Sequence, residues 1–271
     1  MEVSVLANLP PWEWPPEAGE SILGALRAGK ADERRLAAEL AGNVVVINDE
    51  LVETLLSIVE SPDDPPDLRA MAAISLGPTL EELDLGWLDD PEDESVTPSV
   101  ARAIQDHLRA AYMDPAVPKD VRRRVLEASV RCPEDWHTGA VRAAYHSGDP
   151  AWRLSAVFCM GFVGEFDGEI VEALQSDNAE LRFEAVRAAG RAVVEPAWPL
   201  VSALVRSPGI DRPLLLAAID AVASIQPETA PEVLGDLILV EDEEIAEAVQ
   251  DALIMAGAWN RYDDEREDPD F

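Results

Sequence analysis

Residues 176–190 read Ser-Asp-Asn-Ala-Glu-Leu-Arg-Phe-Glu-Ala-Val-Arg-Ala-Ala-Gly, and variants of this stretch recur along most of the chain. Asp177 and Glu180 have the spacing of a capping box at the start of a helix. The apolar residues that follow share one helical face: Leu181, Ala185, Val186 and Ala189. We expect Gly190 to end the helix as a left-handed C-cap. One helix of this size cannot bury its apolar stripe alone, so the pattern predicts similar helices stacked beside it.

The spacing of the copies is nearly constant. An arginine preceded by an apolar residue is followed eight positions later by glycine in three places, Arg69 to Gly77, Arg153 to Gly161 and Arg182 to Gly190. The aligned first positions of all copies are 68, 121, 152, 181, 214 and 245. Second helices are predicted between them, at 48–60, 97–113, 134–147, 167–176, 195–207 and 228–239. A fixed period of this kind is typical of a repeat architecture.

The motif Asp-x-x-(Leu/Val)-Arg-x-x-Ala, followed by a helix that ends at glycine, resembles the HEAT repeat family, in particular its short bacterial form. The resemblance covers 32–257 and is strongest over 117–225. It implies an all-α fold, a right-handed α-solenoid of about six to seven helical hairpins. It also implies that Asp64, Asp149 and Asp177 bridge neighbouring repeats through the arginines. The last two repeats lack the aligned arginine, so such a ladder is not predicted to continue there.

The composition divides the chain into an N-terminal segment rich in proline and tryptophan with a first helix, a repeat array with an acidic insertion, and an acidic tail. These regions are 1–31, 32–257 with the insertion at 80–98, and 258–271. We expect Trp12 and Trp14 to cover the open end of the first hairpin, since terminal repeats need a covering element. The alternative is a proline-rich segment that docks on a partner. The insertion is either a surface loop or a site for a basic, apolar partner.

Charge is the second feature of the chain. Fifty-four acidic residues against 21 basic ones give a net charge of −33. The stretch 81–95 holds eight acids and no base, but the rest of the chain is acidic as well. Such a surface repels nucleic acid and anionic membranes and attracts basic partners. Two interpretations stay open, a binding function for the acidity or an adaptation to solubility and high salt.

Motifs of catalysis and of cofactor or metal binding are absent from the sequence. It contains no Gly-x-Ser-x-Gly elbow, no phosphate-binding glycine loop and no His-Glu-x-x-His. His137 and His146 are nine residues apart and cannot bind one ion from the same helix. Cys132 and Cys159 form no redox or metal motif and favour a reducing cytoplasm. We therefore expect no catalytic residue, no cofactor and no metal, and a cytoplasmic protein without a membrane span.

The densest cluster of aromatic and polar residues lies at 131–153. Tryptophan, tyrosine and arginine carry much of the binding energy in protein interfaces. We therefore predict a partner-binding surface with these residues: Trp136, His137, Arg142, Tyr145 and Trp152, together with Trp198 and Trp87. The HEAT resemblance places the second helices on the concave face and would direct Trp136, His137, Tyr145 and Trp198 toward it. In the alternative, the tryptophans pack between repeats and the histidines lie at the surface.

The function that these features favour is a non-enzymatic scaffold or adaptor that binds one protein with a basic patch. The alternative is a DNA mimic or an immunity-type antagonist, which would occupy the nucleic-acid site of another protein. A lyase-type enzyme with a pocket near His137 and His146 is the least favoured hypothesis. We expect neither nucleic acid nor membrane as a direct partner, and a monomer or weak homo-oligomer.

Overall fold

The computed structural model describes most of the chain. The described residues are 2–43, 45–86, 96–240 and 242–267, except for the side chains of 239 and 258–267. They form helices and no strand, which confirms the predicted all-α class. Among the described helices, none combines the length and the apolar character needed to cross a lipid bilayer.

The chain forms two compact units, Met1–Ala140 and Val141–Phe271, and each is described by itself. The boundary falls inside the helix Asp135–Tyr145. One repeat array over 32–257 stays a prediction. The division arises because the contacts of each half lie mostly within that half.

The first unit is built from paired helices. Its helices are α1 (Val3–Leu6), α2 (Ala18–Ala28), α3 (Ala31–Ala41), α4 (Asp49–Glu60), α5 (Pro66–Ser75), α6 (Gly77–Asp84), α7 (Pro98–Met113), α8 (Lys119–Ser129) and the start of α9 (Asp135–Tyr145). The first helices of successive repeats pack on each other, α3 on α5 and α5 on α8, while α2 packs on α4 and α4 on α7. Leucine and isoleucine fill the interior, with Leu51, Leu55 and Leu108 fully buried.

The second unit repeats this arrangement. Its helices are the end of α9, α10 (Pro150–Met160), α11 (Asp167–Leu174), α12 (Ala179–Arg191), α13 (Trp198–Val205), α14 (Arg212–Ile225), α15 (Ala230–Leu234) and α16 (Glu243–Glu267). α10 packs on α12, α12 on α14 and α14 on α16. Small side chains such as Ala185 and Ala189 face these contacts and are fully buried.

The recurring glycines allow successive first helices to approach each other closely. A Cβ at Gly190 would lie 2.8 Å from Ala221 Cα, and one at Gly161 would lie 3.2 Å from Ala188 Cα. In the first unit, a Cβ at Gly42 would lie 2.5 Å from the carbonyl oxygen of Ser75. Gly190 lies inside α12 and its φ is not positive, so the predicted left-handed C-cap is wrong. The repeat needs glycine there because the next helix occupies the space of a side chain.

The two ends of α12 also differ from the prediction. Asn178, not Asp177, is the N-cap, and its Oδ1 accepts hydrogen bonds from the backbone N–H groups of Glu180 and Leu181. At the other end, the N–H of Val194 donates to the carbonyl of Ala189 at 2.9 Å. This is the long bond of a Schellman motif, and Val193 occupies its left-handed position with φ 50°.

The repeated arginine binds the carbonyl groups that end the preceding helix. Arg69 Nε donates to Val59 O at 2.9 Å. The same contact links Arg34 to Leu26 O and Arg122 to Tyr112 O. Arg182 donates to Ser176 O, two residues after α11 ends. The last carbonyls of a helix have no partner within it and form the negative end of its dipole. The arginine therefore fixes each first helix against the end of the helix before it.

The predicted aspartate bridge between neighbouring repeats is present for Asp64, which accepts from Arg34 and forms an ion pair with it. Asp149 caps α10 by accepting from the N–H of Ala151. A second bridge joins Arg212 to Asp242 at 2.6 Å, in the region where the sequence did not predict one. Both ion pairs join residues 30 positions apart.

Two regions outside the predicted helices are partly helical. The insertion at 80–98 begins inside α6, which extends to Asp84 and packs on α7 and α8. Trp87 and the rest of the insertion as far as 95 lie outside the described residues. The segment 258–271, expected as an acidic tail, continues α16 as far as Glu267.

Candidate functional site

His137 lies in the interior of the first unit and is fully buried. Its Nδ1 accepts a hydrogen bond from the N–H of Glu134 at 2.8 Å, and its Nε2 lies 3.0 Å from Ser129 Oγ. Nε2 is therefore the protonated nitrogen and donates to the serine. Burial lowers the pKa of His137 to about 4, so the ring is neutral near pH 7. Its expected place at the surface or on a partner-binding face is wrong.

Trp136 is half-buried beside this histidine. The two rings stack with centroids 3.9 Å apart, and the ring of Tyr112 lies 5.1 Å away. The indole N–H donates to Glu134 Oε2 at 2.8 Å. Trp136 thus covers His137. Binding of a partner by the accessible part of the Trp136 ring stays a prediction.

In the second unit, Tyr145 and Arg153 form a polar pocket. Arg153 Nη2 donates to the Tyr145 hydroxyl at 2.9 Å and forms an ion pair with Glu172 at 2.7 Å. The guanidinium also lies over the tyrosine ring, 4.7 Å from its centroid. Burial raises the pKa of Tyr145, whereas the bond from Arg153 opposes that shift. The cavity beside them measures about 440 Å³ and is also lined by His146 and Asp149.

Arg142, Trp152 and Trp198 do not line this pocket. Arg142 is exposed, 3.9 Å from Glu165 and 5.3 Å from the ring centroid of Phe166. Trp152 is half-buried in α10, and Trp198 is half-buried at the start of α13. Tyr145, by contrast, is only 6% exposed and offers little surface to a partner.

Residues suited to metal binding do not come together in the described part of the chain, where no group of three His, Cys, Asp or Glu side chains is placed to hold an ion. Cys159 is buried and Cys132 is half-buried, and neither forms a disulfide. Burial raises the pKa of Cys132, which keeps it protonated at neutral pH. Gln105 donates to the carbonyl of Cys132 and holds this segment against α7.

A groove in the second unit, between α10, α12 and α14, was not predicted from the sequence. It measures about 460 Å³, and Leu154, Phe183 and Leu214 form its apolar part. These residues are about 30 positions apart along the chain, so only the stacking of three helices brings them together. The one available signal was Phe183, an aromatic residue directly after Arg182 on α12.

Comparison with known proteins gives a likeness of fold. No family model matches the chain, and no curated protein sequence matches it. Human deoxyhypusine hydroxylase, solved in complex with glycerol, matches with a TM-score of 0.43 and 18% identity over 94% of this chain and 88% of that one. The Escherichia coli protein YibA matches with a TM-score of 0.45 and 16% identity over 93% and 85%. An engineered protein matches with a TM-score of 0.36 and 18% identity over 89% and 96%. The helical fold is compatible with the HEAT-like resemblance, which no family model supports.

The expectation that the chain is not an enzyme has to be corrected. It rested on a repeat fold without catalytic motifs, and the human hydroxylase among the matching structures is an enzyme. A fold of this kind does not exclude catalysis, because function belongs to the site and not to the fold. The expectation of no enzymatic activity is therefore withdrawn.

Proposed function

We propose that this chain binds a protein partner that presents a basic patch, and that its acidic helical surface is the binding surface. The observation that carries the proposal is that many arginine side chains bind groups within the chain and do not offset the acidic surface. Arg34, Arg69, Arg122 and Arg182 each donate to a carbonyl at, or within two residues after, the end of the preceding helix. These guanidinium groups stabilise the stack, and their hydrogen-bonding capacity is directed into the chain.

Several of the other arginines are held by carboxylates of the same unit. Arg131 pairs with Glu81 at 2.8 Å, and Arg212 pairs with Asp242 and Glu244, each at 2.6 Å. Because each pair neutralises only one or two acids, a large excess of carboxylates remains at the surface. That excess supports binding of a cationic partner.

Both units share the acidity. The sequence has 28 acids and 12 bases before residue 141, and 26 acids and 9 bases from there on, for net charges of −16 and −17. A field of this sign speeds the encounter with a basic partner and excludes nucleic acid and anionic membranes. Cys132 and Cys159 form no disulfide, which supports a cytoplasmic site of action.

The test is recovery of the partner from the native host at two salt concentrations. The tagged chain is immobilised and exposed to host extract at about 0.1 M salt, then washed at about 1 M, where the screening length falls from roughly 10 Å to roughly 3 Å. We expect one basic protein that is retained at low salt and released at high salt. Its identity distinguishes an adaptor from an antagonist of a nucleic-acid-binding protein.

The comparison variant, measured next to the wild type, removes charge at two exposed positions, Glu228→Gln in the turn before α15 and Glu232→Gln in its first turn. It should show a small and graded loss of retention, because the field is the sum of many carboxylates. Recovery of an acidic protein, or of a partner that resists high salt, contradicts the proposal. An empty eluate in repeated experiments contradicts it too.

A further inference from the structure

We infer that the groove between α10, α12 and α14 is the docking site for a peptide segment with an apolar side chain flanked by arginine or lysine. We name it the α12 groove. The inference rests on the proposed function and adds the place and chemistry of contact. The groove measures about 460 Å³, enough for an apolar side chain and the backbone on either side of it.

The apolar part of the α12 groove comes from three helices. α10 contributes Leu154, α12 contributes Phe183, and α14 contributes Leu214 with Pro213. Leu154 and Phe183 are half-buried and Pro213 is exposed, so their apolar surface faces the groove opening. An apolar side chain that enters would exchange water for these contacts, which favours binding.

The charged part of the α12 groove consists of Glu180, Glu184 and Asp211. Glu184 forms an ion pair with Arg187 at 3.6 Å. Glu180 and Asp211 are exposed, and neither has a cationic partner among the described residues. Asp211 precedes α14 and Glu180 lies in the first turn of α12, where the helix dipole stabilises a negative charge. Both carboxylates are exposed and open to a cation from outside.

The base at the α12 groove does not neutralise these carboxylates. Among the described residues that line the groove, Arg182 is the only base, and its Nη1 donates to the carbonyl of Ser176 at 3.0 Å. An apolar floor with two unneutralised carboxylates at its edge complements an apolar residue between basic ones. The same edge repels phosphate and carboxylate ligands.

The test uses three short synthetic peptides and the full-length chain with labelled methyl groups. The first peptide carries leucine between two arginines, the second leucine between two glutamates, and the third glycine between two arginines. We expect the first peptide to shift the methyl resonances of Leu154 and Leu214 in a way that saturates as peptide is added, and the second to leave them unchanged. The third should bind at least about tenfold more weakly than the first. Equal binding of the first two peptides, or no shift of these methyl groups by the first, overturns the inference.

Two variants locate the contact. Phe183→Ala should weaken the first peptide about tenfold, because a central aromatic residue carries much of the energy of such a contact. Phe158→Ala is the matched control, since Phe158 is a half-buried phenylalanine on α10 that lines a neighbouring cavity and not the α12 groove. Glu180→Gln, an exposed substitution that leaves the core intact, should weaken binding in a salt-dependent way. Equal losses in the two phenylalanine variants contradict the inference.

The outcome also separates this inference from the proposed function. If the wild-type chain recovers a basic, salt-sensitive partner and Phe183→Ala recovers it equally well, the α12 groove is not the docking site and the proposed function stands. If no basic partner is recovered while the first peptide binds at Leu154 and Leu214, the groove is a peptide site and the proposed function fails.

Discussion

Replacement of Gly190 by alanine should destabilise the chain, although alanine is the better helix former. A Cβ at this position would lie 2.8 Å from Ala221 Cα and 3.0 Å from Ala221 Cβ. Carbon atoms in contact prefer about 3.5–4.0 Å, so the overlap is about 1 Å. The obstructing atoms include the backbone of α14, which cannot rotate away. α12 and α14 must therefore shift relative to each other, and the packing between these two repeats loosens.

Two opposing effects set the magnitude. Overpacking of a close contact costs about 1–3 kcal/mol. Alanine in place of glycine inside a helix gains about 1 kcal/mol. Because the overlap is with backbone, we expect a packing cost near the upper end and a net loss of about 1–2 kcal/mol in the free energy of unfolding. Gly139 is the matched control, since it lies inside α9, is exposed, and a Cβ there would meet nothing within 4 Å.

Urea unfolding followed by circular dichroism measures both variants. With unchanged dependence on denaturant, the shift of the midpoint gives the change in free energy. Gly139→Ala should unfold at higher urea than the wild type, by up to about 1 kcal/mol, and Gly190→Ala at lower urea. If Gly190→Ala is stabilised as much as Gly139→Ala, the close approach of α12 and α14 is refuted as the reason for the repeated glycine.

Three further predictions concern stability. The pKa of His137 is about 4 in the folded chain against 6.5 in the unfolded chain, so folding favours the neutral ring. The contribution of this ring to the free energy of unfolding is therefore complete above pH 6.5 and falls by about 3 kcal/mol toward pH 4. The difference in stability between the wild type and His137→Gln, measured from pH 7 to pH 4, should shrink by that amount. A difference that stays constant over this range would contradict the buried, neutral imidazole. The half-buried pair of Arg34 and Asp64 should show a coupling free energy of about 1 kcal/mol in a double-mutant cycle with Arg34→Gln and Asp64→Asn. Because Arg34 lowers the pKa of Asp64, the stabilisation of the folded chain by this pair persists above pH 3.8 and is lost as the pH falls below that value. Additive single-mutant effects would show that the bridge does not stabilise the fold. Val193→Gly should stabilise the chain by up to about 1 kcal/mol, because a β-branched residue is strained at φ 50°, and a loss of stability in urea unfolding would show that the left-handed position is not strained.

Helix positions could be predicted well from the sequence because the repeat period and the apolar stripe are local signals. The helices predicted at 48–60 and 97–113 are found at Asp49–Glu60 and Pro98–Met113. Properties that depend on the neighbouring repeat were not predictable in the same way. A glycine at the end of a pattern reads as a C-cap, and only the position of Ala221 shows that Gly190 permits a close contact.

Contacts between side chains of neighbouring repeats were equally hard to predict from the sequence. Arg212 was not recognised as a repeat arginine because it lies three residues before the aligned arginine position, yet it pairs with Asp242 as Arg34 pairs with Asp64. The burial of His137 depends on Ser129, eight residues away in the preceding helix. The α12 groove needs three helices at once. Such features follow from packing geometry, which a single sequence does not specify.

The central claim is that electrostatic attraction to the acidic surface drives association with a basic protein. The most direct test is the dissociation constant of the complex with the partner recovered from the host, measured at a series of salt concentrations. We predict that the affinity falls steadily as salt rises from about 0.1 M to about 1 M, by more than tenfold in total, as screening removes the attraction. A dissociation constant that stays the same across this range would contradict the account.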